Sequence, residues 1–331
     1  MIVTLTVNPA LDRTVELEDA LSPGDVQQAV AVREDAGGKG VNVARVLAGA
    51  GAPATAVLPL AEDDPYRPLL GDLPVRTVPI EGRVRANLTL TDPDGETTKI
   101  NLPGPVVAEQ EARALIDEVV AAADGADWLA LCGSLPRGVP ADFYVDVALA
   151  VRARCARPPR IAVDTSGPAL AEAVLSGAVD LIKPNDEELV ELSLLLDRSV
   201  RPLEQKEMTR VTRSRRREIA DDPAAAQRIA RLLVPAQVRA ALITLGGDGA
   251  VLVEPDGAWL AAPPPTDVRS TVGAGDSALA GYLLAHVAGE DGPGRLRSAI
   301  RYGSATAALP GTGLATPADL PTGDIPVRAL S

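Results

Sequence analysis

Short apolar runs alternate with helical patterns along almost the whole chain, and that alternation leaves few folds open. Met1–Val7, Ala54–Leu60, Trp128–Cys132, Arg160–Asp164, Leu181–Lys183 and Ala241–Leu245 are apolar on both faces. Strands read that way when helices cover both sides of a parallel sheet. Helical periodicity falls between them, at Val41–Leu47, Ala108–Ala123, Ala141–Ala153, Ala169–Leu175, Glu187–Leu196, Ala224–Leu233 and Asp276–Val287. The order predicts an α/β fold with a doubly wound, mostly parallel sheet flanked by helices. A chain of 331 residues is long enough to bury one large core of this kind.

Two regions depart from the pattern. Val75–Ile80, Ala86–Thr91 and Thr97–Leu102 alternate apolar and polar residues, and Asp94-Gly95 is a good hairpin turn. Gln27–Arg33 has similar character. Half-polar strands without helices between them predict a small separate β-sheet, a lid, with strands at about 12–35 and 75–103. Ala250–Glu254 and Ala258–Ala261 read as a hairpin across Asp256-Gly257. Asp197–Asp222 carries Arg198, Arg201, Lys206, Arg210, Arg213, Arg215, Arg216 and Arg217, with little apolar periodicity. It reads as a solvated surface insertion, with an anion-binding arm as the alternative.

Composition narrows the function classes. The net charge of −13 disfavours non-specific nucleic-acid binding, and aromatic residues at 2% leave no stacking platforms. No run approaches the ~18 apolar residues that span a bilayer, so no membrane role is expected. Cys132 and Cys155 are too few for a disulfide framework. With no export signal at Met1–Val7, they read as reduced thiols of a cytoplasmic protein. The one histidine, His286, reads as a helix-surface residue, which leaves little room for a His-based triad or zinc site.

Several motifs carry chemistry. Ser270–Ser277 (STVGAGDS) runs into a helix, and its glycines let the backbone approach a ligand closely. The free N–H groups of that helix start suit a phosphoryl group. Asp276 at this mouth suits a base facing an incoming hydroxyl, since a carboxylate beside a phosphate is otherwise repelled. An Asp capping a core helix is the plainer alternative. Gly273-x-Gly275-x-x-Ala278 also fits a dinucleotide fingerprint, but in the wrong place along the chain.

Gly37–Arg45 (GGKGVNVAR) is not a Walker A loop, because Gly40 follows Lys39. Its glycines, Lys39 and Asn42 still suit an oxygen-rich ligand, or else form a structural turn. Asn185 and Glu188 share a helix face and suit water on Mg²⁺. By pattern alone, Asn-x-x-Glu is equally a capping box, and better read so. Thr244–Gly249 is a Gly-rich strand exit, a place for a nucleotide or a plain turn. Asp12 follows the first strand, where it suits sugar hydroxyls. Arg85, Asn87 and Lys99 lie on the lid strands, where cations suit a phosphate.

Together and in this order these motifs resemble the PfkB-type (ribokinase-like) carbohydrate kinases. The matching segments are Thr4–Asp12, Gly37–Arg45, Gly133–Gly138, Asp164–Gly167, Lys183–Glu188, Ser270–Ser277 and Pro310–Gly313. Within the family, the branch of 1-phosphofructokinases and tagatose-6-phosphate kinases is the most similar. The resemblance implies a single ribokinase-like kinase domain over 1–331, with ATP and Mg²⁺. Asp276 would be the catalytic base, with Gly273, Ala274 and Gly275 as the anion hole. Asn185 and Glu188 would hold hydrated Mg²⁺. Lys183, Thr244, Gly246, Gly247 and Gly249 would line ATP. Asp12, Gly38, Lys39 and Asn42 would hold the sugar. Arg85, Asn87, Lys99 and Ser134 would hold its existing phosphate.

The resemblance also implies a homodimer through the lid and transfer to the 6-hydroxyl of fructose 1-phosphate. Tagatose 6-phosphate or fructose 6-phosphate is the nearest alternative acceptor. A non-catalytic sugar-phosphate sensor and a nicotinamide oxidoreductase are the competing classes. Three departures stand out: a short Ala56–Asp72 without the usual Gly-rich turn, a longer Asp197–Asp222, and Leu102 where the branch often carries an acid.

Overall fold

The computed structural model describes residues 1–197 and 205–331. β1 (Ile2–Thr6) is buried along its whole length and lies inside the main sheet, as a doubly apolar strand requires. The chain then leaves for a second sheet through β2 (Ala10–Leu17) and β3 (Ala29–Gly37), an antiparallel pair. It returns by α1 (Lys39–Gly49), β4 (Ala54–Pro59), the short α2 (Tyr66–Leu69) and β5 (Val75–Val78). A second excursion adds β6 (Arg85–Thr91) and β7 (Thr97–Asn101) to the small sheet.

From there strands and helices alternate: α3 (Glu109–Ala123), β8 (Trp128–Cys132), α4 (Phe143–Arg154), β9 (Arg160–Asp164), α5 (Gly167–Leu175), β10 (Leu181–Ile182) and α6 (Asp186–Leu196). The helices α7 (Gln205–Asp221) and α8 (Ala224–Arg231) precede β11 (Ala240–Thr244). β12 (Ala250–Glu254), β13 (Gly257–Ala261), α9 (Ala274–Val287), α10 (Gly292–Ala307) and β14 (Val327–Ala329) complete the chain.

The main sheet has the order β14-β13-β12-β11-β10-β9-β8-β1-β4-β5. The run from β11 to β5 is parallel, and β12, β13 and β14 add on antiparallel. β1 sits between β4 and β8, so the winding reverses there. In open α/β sheets such a reversal opens a crevice beyond the carboxyl ends of the strands. The small sheet has the order β3-β2-β6-β7. No helix among the described residues is long and apolar enough to cross a membrane.

Three expectations need correction. Val75–Val78 was read as a lid strand, but it pairs with β4 at the edge of the main sheet. Its half-polar pattern reflects an edge position, where one face stays wet. The lid therefore takes only the second half of 75–103. The arginine-rich segment lies on the surface, but its described part is more regular than the expected lack of apolar periodicity suggests. Arg198 and Arg201 lie outside the described residues, but Gln205–Asp221 is a helix. Ile219 and Thr212 are buried along one side, and Met208 and Val211 pack beside them on the core under α6. That stripe is narrow and long basic side chains flank it, which hides its period in the sequence. Lastly, His286 is half-buried, with its ring edge-on to Trp128 at 5.0 Å.

Candidate active site

The carboxyl ends of β1, β8, β9, β10 and β11 deliver Asn8, Ser134, Asp164, Lys183 and Thr244 to one side of the main sheet. The start of α9 comes to the same place. Gly273 caps α9 with φ 77°, a left-handed conformation that glycine adopts without strain. The first N–H groups of α9 therefore open onto a cleft of about 560 Å³. Lys39, Lys183, Asn185, Glu188, Thr244, Gly246, Gly247, Gly249, Gly273, Ala274, Gly275 and Asp276 all line it. Its far wall is apolar, with Pro263, Val268, Ala299 and Ile300. A flat heterocycle fits such a wall, and anionic oxygens fit the lysine end.

Asp276 is buried in the first turn of α9 and accepts a hydrogen bond of 2.8 Å from Asn42 Nδ2. Burial pushes its pKa up to about 6, and the nearby Asp164 charge adds to that. Lys39, Asn42 and Lys183 work in the opposite direction. A raised pKa makes the ionised carboxylate a stronger base toward an incoming hydroxyl proton.

Asp164 sits fully buried at the end of β9, between two ammonium groups. Lys39 Nζ is 2.7 Å from Oδ1 and Lys183 Nζ is 3.1 Å from Oδ2. Burial alone would raise the Asp164 pKa, but Lys183 and Lys39 outweigh it and hold it below the usual range. Lys39 also lies 3.8 Å from Glu188 Oε1. Burial would lower the Lys39 pKa, but Asp164 and Glu188 outweigh it and hold it above the ordinary lysine value. The carboxylate that the two lysines share was quoted in the Asp164–Gly167 motif without a role. Only the fold, which brings the ends of β9 and β10 to the start of α1, shows what it does.

Lys39, expected among the sugar contacts, lies beside Asp164 and Glu188. Asn185 and Glu188 form a reciprocal capping box: Asn185 Oδ1 accepts from the Glu188 N–H at 2.8 Å, and Glu188 Oε2 accepts from the Asn185 N–H at 2.9 Å. The plainer reading of that pair is therefore present in the structure. It leaves Glu188 Oε1 facing the cleft beside Lys39. The Thr244–Gly249 segment holds a tight helical turn at Gly246–Asp248 and then enters β12.

A second cluster occupies one face of the lid. Asp12 on β2 pairs across the sheet with Asn87 on β6, whose Nδ2 donates to Asp12 Oδ1 at 2.8 Å. Alternation along the strands puts Arg85 and Lys99 on that same face. Burial raises the Asp12 pKa, and Asn87, Arg85 and Lys99 moderate the rise. Gly38, with φ 124°, carries the chain from the lid into α1. A Cβ there would come within 2.9 Å of the Thr6 side chain and would strain the backbone as well. Asn8 Nδ2 reaches Ser134 Oγ at 3.2 Å, joining the ends of β1 and β8. Among the described residues, Asn8 Oδ1, Arg85 Nε and Asn87 Oδ1 are buried polar atoms without a hydrogen-bond partner. Buried polar atoms are rarely left so unless a ligand or water completes them.

The two clusters meet through α1. Asn42 touches Asp276, and Lys39 touches Asp164 and Glu188. Thr312 makes a further link from the body. Arg33 donates to Thr312 Oγ1 at 2.9 Å, and that hydroxyl donates to Asp35 on β3 at 2.6 Å.

Comparison with known proteins agrees with this geometry. Residues 6–319 match the pfkB family carbohydrate kinase pattern. A 1-phosphofructokinase of Rhodobacter capsulatus is 36% identical, covering 88% of this chain and 85% of that protein. A 1-phosphofructokinase of Escherichia coli is 32% identical over 90% and 88% of the two chains. The fold superposes on crystalline phosphofructokinase-2 from Escherichia coli with a TM-score of 0.80, at 31% identity and 96% of each chain. This chain belongs to the pfkB family of carbohydrate kinases.

Proposed function

We propose that this kinase transfers the γ-phosphoryl group of ATP to the 6-hydroxyl of fructose 1-phosphate, giving fructose 1,6-bisphosphate and ADP. The observation that carries the reaction is the Asn42–Asp276 hydrogen bond. It holds a buried base at the junction of a phosphate-ready cleft and a polyol-ready lid face. The choice of acceptor rests on the relatives named 1-phosphofructokinase. A sugar phosphate has hydroxyls for Asp12 and Asn87 and a phosphate for Arg85, Lys99, Asn87 and Ser134.

The acceptor hydroxyl gives its proton to Asp276 as its oxygen bonds to phosphorus and the bond to ADP breaks. The N–H groups of Gly273, Ala274 and Gly275 hold the charge on the transferring oxygens. Lys39 and Lys183 neutralise the phosphate chain. Among the described residues no three metal-ligating side chains converge. Glu188 Oε1, with Asn185 beside it, fits the water shell of Mg²⁺, which binds few protein groups directly. When bound, Mg²⁺ supplies charge neutralisation at the leaving phosphates.

ADP release from purified protein, measured across three acceptors, tests the choice. Fructose 1-phosphate should give the highest kcat/KM. A ten-fold preference for fructose 6-phosphate or tagatose 6-phosphate overturns it. The second reading, fructose 6-phosphate, has an observation of its own: an ATP-dependent 6-phosphofructokinase isozyme 2 is 32% identical over 95% of this chain.

The base makes the reaction pH-dependent. Asp276 accepts a proton only when ionised. Below its pKa of about 6, kcat/KM should fall about ten-fold per pH unit. A flat profile down to pH 4.5 would remove Asp276 from this role.

The lid also proposes an assembly. Its face opposite Asp12 carries Val15, Val32, Leu88, Leu90 and Ile100, with Val32 59% and Ile100 44% exposed. A sheet face that apolar and that wet suits a second copy of itself, hence a homodimer. Val32→Asp should shift sedimentation from dimer to monomer. A wild-type protein that sediments as a monomer at micromolar concentration would refute the assembly.

A further inference from the structure

The first turn of α6 places three carboxylates in succession, Asp186, Glu187 and Glu188, and the first and last of them line the nucleotide cleft. Alone, such a cluster repels the phosphates of the donor. Each member is, however, matched to a cation. Glu188 faces Lys39. Asp186 and Glu187 both face one residue, Arg216 on α7. Its Nε is 2.7 Å from Asp186 Oδ2 and its NH1 is 3.0 Å from Glu187 Oε2.

The position of Arg216 is not accidental to its own helix. Met208, Val211 and Ile219 seat α7 on the core beneath α6, and Arg215 donates to Ser193 Oγ on α6 at 3.2 Å. That docking turns the next residue, Arg216, toward the start of α6. A planar guanidinium with donors on several nitrogens can hold two carboxylates at once, which an ammonium does poorly. Asp186 lines the cleft itself, so its charge bears directly on the nucleotide.

We propose that Arg216 is a positioning residue for the nucleotide. It pairs with Asp186 and Glu187 and cancels their charge beside the cleft, so that Glu188 is the carboxylate of that turn left to meet the hydrated cation. The arginine-rich segment then belongs to the donor side of the reaction. This rests on the reading of the cleft as the MgATP site.

The test reads donor and acceptor separately. In R216A the KM for MgATP should rise about five-fold, while the KM for the sugar phosphate and kcat stay within two-fold. Calorimetric affinity for MgADP, without any sugar, should fall by the same factor. R216K, with a single ammonium, should lie between the two. The decisive variant is R216A/D186N/E187Q. If Arg216 acts by cancelling charge, removing the carboxylates with it restores MgADP affinity to within two-fold of wild type. If R216A binds MgADP as wild type does, or if the triple variant stays as weak as R216A, the proposal is wrong. Wild-type protein that binds MgADP yet phosphorylates none of the three sugars would sink the acceptor assignment and leave this one standing.

Discussion

Asp276→Asn should lower turnover by ~10²-fold or more and, at neutral pH, make the protein more stable than wild type. Both effects come from one feature. The Asp276 carboxylate is buried, and its pKa stands at about 6 against an ordinary 3.8. A folded-state pKa above the unfolded value means that ionisation costs the fold stability. That cost is fully present above about pH 6 and vanishes below the unfolded value. An amide of the same shape escapes it and still accepts the Asn42 hydrogen bond. From the size of the shift, the gain is on the order of 2 kcal/mol near pH 7, a rise of roughly 4 °C in Tm. Binding of the sugar phosphate should survive. A variant as fast as wild type, or one that melts several degrees lower, contradicts this account.

Asp164→Asn should move stability the other way. Here Lys183 and Lys39 hold the carboxylate below its usual pKa, so its ionised form stabilises the fold. That contribution is present above the unfolded pKa and disappears as the pH falls through the folded one. Removing it leaves two ammonium groups facing a neutral amide in a buried site. Breaking one partner of a buried pair typically costs 3–5 kcal/mol, here a fall of roughly 6 °C or more in Tm. Turnover should drop as well, because Lys39 and Lys183 lose the group that aims them. The two variants therefore form a pair. Both lose activity, one melts higher and one lower than wild type, and the Asp276 difference fades between about pH 6 and pH 4 whereas the Asp164 difference fades only below the ordinary carboxylate range. Thermal melts at pH 7 and pH 4 decide it: by pH 4 the Asp276→Asn gain should have largely gone while the Asp164→Asn deficit persists, and an unchanged Tm for Asp164→Asn at pH 7 would show that the lysine pair is not held by this carboxylate.

Much of this architecture was legible in the sequence because parallel strands buried on both faces leave an unmistakable apolar run. The Gly-rich turns at Gly37–Arg45 and Ser270–Ser277 were equally clear, since backbone close to a ligand excludes larger residues. What escaped notice had physical reasons. α10 was not read at all: Gly292, Gly294 and Gly303 weaken its helical signal, and it forms by packing on α9 through Leu296, Ala299 and Ile300. Val75–Val78 was given to the wrong sheet, because an edge strand and a lid strand share one half-polar pattern. Asp164 had no role until the ends of β9, β10 and α1 met, and no local pattern announces a partner 125 residues away. Arg216 was hidden among equally charged neighbours.

Both excursions that build the lid leave and rejoin the chain before residue 104, whereas the donor cleft draws most of its residues from Asp164 onward. Most residues proposed for the acceptor, Ser134 apart, thus lie on one contiguous stretch, and most proposed for the donor, Lys39 apart, on another. A chimera taking residues 1–104 from a relative with a different acceptor would exchange specificity in a single splice. At the cleft the seam of such a graft runs through Lys39 with Asp164, Asn42 with Asp276 and Asn8 with Ser134, so a grafted stretch that keeps that lysine and those two asparagines meets these counterparts already in place.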